Sequence, residues 1–251
     1  MRTATRHRLD AAWQALRLWL GATVLPAQCA LCGMGCPQVL CPPCRAQYLG
    51  QLRHRCRQCA NPLEDIEVAL LCGRCLRHRP AYDATITAFD YAAPVDQLLL
   101  QLKFGARLAL APLFAQLLHV AIQQQPEWEA PQLLCPVPLG PARLAERGFN
   151  QALEIARPLA RLLDVPLQPR LALRVRETRA QSGVAPQERQ ANLAHAFAIA
   201  PEHAPLLQGC HVGIVDDVMS SGHTVNALAA ACKSAGAARV SILVVARTPP
   251  R

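Results

Sequence analysis

Between residues 9 and 25 apolar side chains recur at Ala12, Leu16, Trp19, Leu20 and Val24, the spacing of one face of a short helix. From there to Cys75 the chain shows little hydrophobic periodicity, so that stretch cannot fold by apolar burial alone. After Pro80 the pattern changes to short β-type runs alternating with helical ones. It predicts strands at 85–91, 133–137, 171–175, 195–200, 212–216 and 240–246. Helices are predicted over 95–125, with a break near Phe104 and Gly105, and over 148–163 and 224–235. Strands separated by helices imply βαβ units and a mostly parallel sheet flanked by helices, with ligands bound beyond the carboxyl ends of the strands. The expected division is an amphipathic N-terminal helix over 1–25 that packs on the rest of the protein, a small cysteine-rich module over 26–80 and an α/β domain over 81–251.

The chain of 251 residues is long enough to bury about 70% of its unfolded surface. No run of 18 uncharged apolar residues occurs, and the most hydrophobic early stretch, 18–27, is about half the length of a bilayer span. Arg17 and Asp10 lie close upstream of it, and a small-residue cleavage site is lacking. Neither a membrane helix nor a secretory signal is expected, and the expected location is the cytoplasm.

Twelve cysteines in such a chain point to metal ligation rather than disulfides, because cytosolic thiols are kept reduced. Eight of them form four C-x2-C pairs, Cys29/Cys32, Cys41/Cys44, Cys56/Cys59 and Cys72/Cys75. Each pair resembles a zinc knuckle, whose tight turn lets two thiolates meet one ion. Two structural Zn²⁺ sites are expected, with an iron–sulfur cluster or a redox dithiol as the alternatives. Sequential pairing closes the shortest loops, and a cross-braced arrangement would use the same residues. Cys36 is expected to be a bystander, and Cys135, Cys210 and Cys232 read as small buried hydrophobes.

Zinc also changes the reading of charge. The formal +9 counts every cysteine as a neutral thiol, and two four-thiolate zinc sites at −2 each would bring it to +5. The excess lies mostly in residues 1–81, with 11 Arg, no Lys and 4 acids. A phosphate-contacting patch around Arg53, His54, Arg55 and Arg57 is one reading of that excess, and a solvated linker beside two anionic metal sites is the other.

The most informative segment is Val-Gly-Ile-Val-Asp-Asp-Val-Met-Ser-Ser-Gly-His-Thr, from Val212 to Thr224. A buried strand leads to Asp216 and Asp217, and a hydroxyl-rich turn then opens a helix. Hydroxyls of Ser220, Ser221 and Thr224, with backbone N–H groups around Gly222 and His223, suit a phosphate at the helix N-terminus. Carboxylates cannot hold that phosphate directly, so Asp216 and Asp217 suit ribose hydroxyls or Mg²⁺. Acid pair and turn together describe a sugar phosphate. No G-x-G-x-x-G or G-x4-G-K-[ST] pattern is present, which excludes the dinucleotide and P-loop readings.

This segment resembles the motif with which type I phosphoribosyltransferases bind 5-phosphoribosyl-1-pyrophosphate (PRPP), two serines standing in for its threonines. Upstream, the segment from Cys135 to Arg143, Arg147-Gly-Phe-Asn-Gln151, Thr178 to Gln181, and Arg189 to Asn192 follow in order. With the acid pair they resemble the ComF/GntX family. The resemblance implies a type I phosphoribosyltransferase fold behind a double zinc ribbon, PRPP and Mg²⁺ as ligands, and a link with DNA uptake, with no acceptor established. By position, Val137 in the turn 136–141 looks like part of the pyrophosphate loop, with Arg143 and Arg147 as anion partners. Arg176, Gln181 and Arg189 look like parts of a mobile loop over the substrate, and Lys103 like a residue reaching in from the hood. No residue stands out as catalytic base; Glu146 and Glu188 are near only by proximity. The expected activity is a phosphoribosyltransferase. The alternative is a non-catalytic competence factor that binds single-stranded DNA, a DNA-uptake helicase or another competence protein through its basic zinc module.

Overall fold

A computed structural model describes residues 28–49, 54–63, 70–125, 128–175 and 196–249. The expected helix at 9–25, Arg53, Arg176, Gln181, Glu188, Arg189 and Asn192 lie outside the described residues. The chain forms two compact units, residues 1–50 and 51–251, and the boundary falls between the second and third cysteine pairs. None of the described helices is long and apolar enough to cross a membrane.

The first unit is organised by its cysteines. Gly33, at φ 71°, lets the knuckle after Cys29 close, with the Gly33 N–H donating to Cys29 O at 3.0 Å. The helix α1 (Pro42–Tyr48) follows, with proline in its first turn, where a missing N–H costs nothing.

In the second unit the third and fourth cysteine pairs, with the short helix α2 (Gly73–Arg77), precede the sheet. The strands are β1 (Ala84–Asp90), β2 (Leu133–Pro136), β5 (His211–Met219) and β6 (Arg239–Arg247), in the order β1-β6-β5-β2 and all parallel. Between β1 and β2 run α3 (Val95–Phe104) and α4 (Leu110–Gln123), broken at Gly105 as the pattern predicts. Between β2 and β5 lie α5 (Pro141–Arg147), α6 (Gln151–Leu163), and the strands β3 (Ala172–Arg174) and β4 (Phe197–Ile199). The helix α7 (His223–Ser234) joins β5 to β6.

Successive strand residues face opposite sides, and both sides are covered. Val212, Ile214, Val240, Ile242 and Val244 share a buried cluster with Leu228 and Cys232 of α7. On the other face α4 packs on β1 and β6, and α6 on β5 and β2. Phe114, Leu118, Ile155 and Leu159 there are all but fully buried, each stabilising the fold by roughly 1.5–3 kcal/mol relative to exposure. The core thus puts the carboxyl ends of β2 and β5 side by side, where a parallel sheet offers its binding edge.

Asn150 connects that edge to α6. Its Oδ1 accepts from Ala152 N at 3.0 Å and Leu153 N at 3.4 Å, while its Nδ2 donates to Val137 O at 3.0 Å. Asn150→Ala loses the cap and leaves a buried carbonyl without its donor, so urea denaturation is expected to report a loss of about 1–2 kcal/mol. A change below about 0.3 kcal/mol would show that the cap carries no weight.

Three features depart from the expected pattern. Residues 141–147, between the expected turn 136–141 and the expected helix 148–163, form a further helix; it buries no side chain, so no apolar stripe announced it. The strands β3 and β4 pair antiparallel in a sheet of their own instead of joining the parallel one. Finally, β5 runs on to Met219, with Asp216 opposite Val244 and Met219 opposite Arg247. The acid pair therefore lies within the strand, held by its ladder, and not at its end.

Candidate functional site

The two acids differ in surroundings. Asp217 is 3% exposed, its Oδ2 ion-paired to Lys103 Nζ at 2.6 Å and its Oδ1 facing Gln151 Nε2 at 3.5 Å. Asp216 is half-buried, and its Oδ1 accepts the N–H of Asp217 at 2.9 Å. Burial pushes the Asp216 carboxyl well above its ordinary 3.8, the charge of Asp217 adds to the rise, and Lys103 opposes it. A carboxylate pair with one lysine as counter-charge suits a hard divalent cation, which takes oxygen ligands.

Because its folded-state value is raised, Asp216 holds a proton that the unfolded chain has released, so its contribution to stability falls as pH rises from the ordinary value through the raised one. A cation needs the ionised form. Titration is expected to show Mg²⁺ affinity climbing with pH above the ordinary aspartate range, and that dependence flattening in Asp216→Asn. A pH-independent affinity in the unsubstituted protein would contradict this.

After Met219 the chain turns through Ser220 and Ser221, both exposed, to Gly222 at φ 81°, the residue that caps α7. A side chain at Gly222 would be strained by that φ, and its Cβ would lie 2.7 Å from Met219 Cε. His223 and Thr224 open the helix, half-buried, and the His223 N–H faces Ser221 Oγ at 3.5 Å. Burial, then Arg74, lowers His223 below its ordinary 6.5, which keeps the ring neutral near pH 7. The first turn of α7 leaves backbone donors without helical partners, and the helix dipole favours an anion there.

Val137 is buried beside β5, its N–H donating to Val215 O at 2.9 Å. Arg147 donates to Gln151 Oε1 at 2.7 Å and lies 5.3 Å from the centre of the exposed Phe104 ring. Arg143 and Glu146 are exposed on α5. Lys103, Asp217, Gln151 and Arg147 therefore form one polar chain across α3, β5, α6 and the end of α5. Sequence reasoning named Gln151 within the Arg147 to Gln151 run but missed its role beside Asp217, which follows from its place directly after the capping Asn150, on the buried face of α6. It also missed Arg247, a lone arginine ending an apolar strand. That side chain is 3% exposed; its Nε donates to Cys59 O at 2.9 Å, and its Nη1 to the carbonyls of Met219 at 3.0 Å and of Ser220 and Thr248.

The eight paired cysteines gather sequentially into two groups, Cys29, Cys32, Cys41 and Cys44, and Cys56, Cys59, Cys72 and Cys75, with sulfurs within 4.8 Å of one another in each. Cys32 and Cys41 sulfurs are 3.7 Å apart, and those of Cys59 and Cys72 3.5 Å. A tetrahedral zinc site with bonds of about 2.3 Å has edges of roughly 3.8 Å. In each group a backbone N–H points at the first sulfur, Cys41 N to Cys29 Sγ at 3.4 Å and Cys72 N to Cys56 Sγ at 3.3 Å. Hydrogen bonding from Cys59 pulls the Cys56 thiol down to about 4, and Cys59 is driven far up in return. Four thiols contending in this way suit a dication, and both groups could hold zinc. Cys36 stands apart, its thiol donating to Gln38 O at 2.9 Å.

The second group is stitched to the sheet. Thr85 N and Oγ1 donate to Arg57 O at 3.0 Å and Gln58 O at 2.6 Å, and Arg55 pairs with Asp90 at 2.7 Å. His54 is exposed beside it.

Comparison with known proteins agrees with this arrangement. A family model described as phosphoribosyl transferase domain matches residues 150–251, which contain the acids and the serine turn. DNA utilization protein YhgH of Salmonella typhimurium is 34% identical over 232 residues, 89% of this chain and 98% of that protein. Competence protein F of Haemophilus influenzae is 29% identical over 213 residues, 83% of this chain and 90% of that protein. The chain belongs to the ComF/GntX family. The double zinc ribbon of that family corresponds to the two four-cysteine groups, and its phosphoribosyltransferase fold to the parallel sheet with its helices. Among solved structures, a purine phosphoribosyltransferase from Pyrococcus horikoshii is 20% identical, covering 51% of this chain and 67% of that one, with a TM-score of 0.30.

Proposed function

We propose that this ComF-type protein binds PRPP with Mg²⁺ and serves in the cellular use of incoming DNA. The observation that carries the reading is the pairing of Asp217 with Lys103 at 2.6 Å beside Asp216, one turn ahead of the Ser220 to Thr224 loop. Asp216 and Asp217 take the ribose hydroxyls and the cation; backbone amides and hydroxyls from Ser220 to Thr224 take the 5′-phosphate. The backbone around Val137, with Arg143 and Arg147, faces the pyrophosphate. Mg²⁺, when bound, neutralises the pyrophosphate as it leaves ribose C1. Lys103 holds the acid pair together until a cation arrives, and Gln151 orients Asp217 while tying it to Arg147. In its transferase form the site would pass the ribosyl phosphate to an acceptor base. The names of the two relatives supply the DNA role.

Ligand binding to the folded state alone raises the melting temperature. With the zinc-replete chain, PRPP plus Mg²⁺ is expected to shift the midpoint upward, by more than either alone; no shift at millimolar PRPP would remove this reading.

A further inference from the structure

Beside the Ser221 to His223 turn lies a cavity of about 660 Å³, between the fourth cysteine pair and the start of α7. Ser221, Gly222 and His223 form one wall, whereas Asp216, Asp217, Ser220 and Thr224 do not line it. The cavity is therefore not the ribose site. It lies wholly within the second unit.

Its lining is cationic. Arg74, Arg77, His78, Arg79 and Arg247 all face it, and among the described residues no carboxylate does. Arg74 Nη2 reaches Ser221 O at 3.5 Å. Arg77 and Arg79 are exposed and make no side-chain hydrogen bond or ion pair among the described residues. Arg247 is the deep residue. Its Nε and Nη1 are taken by carbonyl oxygens, while Nη2 makes no hydrogen bond among the described residues. Arg247 is buried and has no carboxylate partner among the described residues, so an anion at Nη2 would stabilise its charge.

The cysteines offset part of this charge. Cys59 and Cys75 line the cavity, and a four-thiolate zinc site carries −2. Four arginines still exceed it by two. The volume falls within the roughly 300–1,000 Å³ range of small-molecule sites, and guanidinium forks match phosphate oxygens.

We propose that this cavity is a second anion site that takes the phosphate chain of a small nucleotide, adjoining the proposed PRPP site and sharing the Ser221 to His223 wall with it. Four features support the assignment: a wall without carboxylates among the described residues, surface arginines Arg77 and Arg79 with no partner among those residues, a buried Arg247 whose Nη2 is unused among them, and a volume of small-molecule size. The inference does not rest on the PRPP reading.

The test is calorimetric titration of the zinc-loaded full chain with ATP in the absence of Mg²⁺, with adenosine and a short single-stranded oligonucleotide run alongside. ATP is expected to bind and adenosine not. Arg77→Ala with Arg79→Ala, both on the surface, is expected to weaken ATP about tenfold without moving the melting midpoint. Asp216→Asn with Asp217→Asn is expected to leave ATP affinity unchanged. The proposal is overturned if ATP does not bind, if its binding is lost in the aspartate variant and kept in the arginine variant, or if only the oligonucleotide binds.

Discussion

Replacing Cys56 and Cys59 by serine is expected to halve the zinc content and to abolish cooperative melting of the whole second unit. Structural zinc contributes on the order of 10 kcal/mol through its thiolates, as much as the entire stability of an ordinary domain. The effect reaches beyond the ribbon because Cys56, Cys59 and Cys75 belong to the same buried cluster as Tyr82, Met219 and Val244. Thr85, Arg247 and Asp90 all bond to the chain around Arg55 to Cys59. Cys29→Ser with Cys32→Ser is expected to lose one zinc as well, while the melting of the second unit stays in place, since the first group folds in a separate compact unit. Metal analysis and scanning calorimetry on the two variants distinguish the cases. Equal melting in both would mean that the second group is an ornament on the sheet.

Substituting asparagine for both Asp216 and Asp217 should cost PRPP affinity on the order of a hundredfold or more, because charged hydrogen bonds and cation contacts contribute about 1.5–3 kcal/mol each. Folding should hardly change. Asparagine has the same shape, and burial already drives the Asp216 carboxyl toward its neutral form. Loss of the Asp217 charge leaves a Lys103 ammonium whose side chain is 19% exposed and that water reaches. A variant that keeps its melting midpoint and loses PRPP therefore separates the site from the scaffold.

Much of this was legible in the residues. The C-x2-C pairs announced their metal groups because a knuckle is local chemistry, decided within four residues. The order of most strands and helices was legible from pattern, since β6 is apolar on both faces, β1 and β5 carry short buried runs rich in β-branched residues, and helices lie between them. The acid pair and the serine turn were legible because their chemistry is contiguous. What escaped was chemistry assembled from afar. Gln151 meets Asp217 across 66 residues, and Arg247 meets Cys59 across 188. No local pattern marks such pairs, for they follow from which strand ends the sheet brings together. The strands β3 and β4 were expected, but not their antiparallel pairing, for a related reason: three-residue strands carry too little pattern to state their direction.

The most direct test of the central claim is calorimetric titration of the zinc-replete protein with PRPP and Mg²⁺, beside the Asp216→Asn, Asp217→Asn variant. The account predicts saturable one-site binding that requires Mg²⁺ and is lost in the variant at unchanged melting midpoint. Equal PRPP affinity in both proteins, or none in the folded zinc-replete chain, would contradict it.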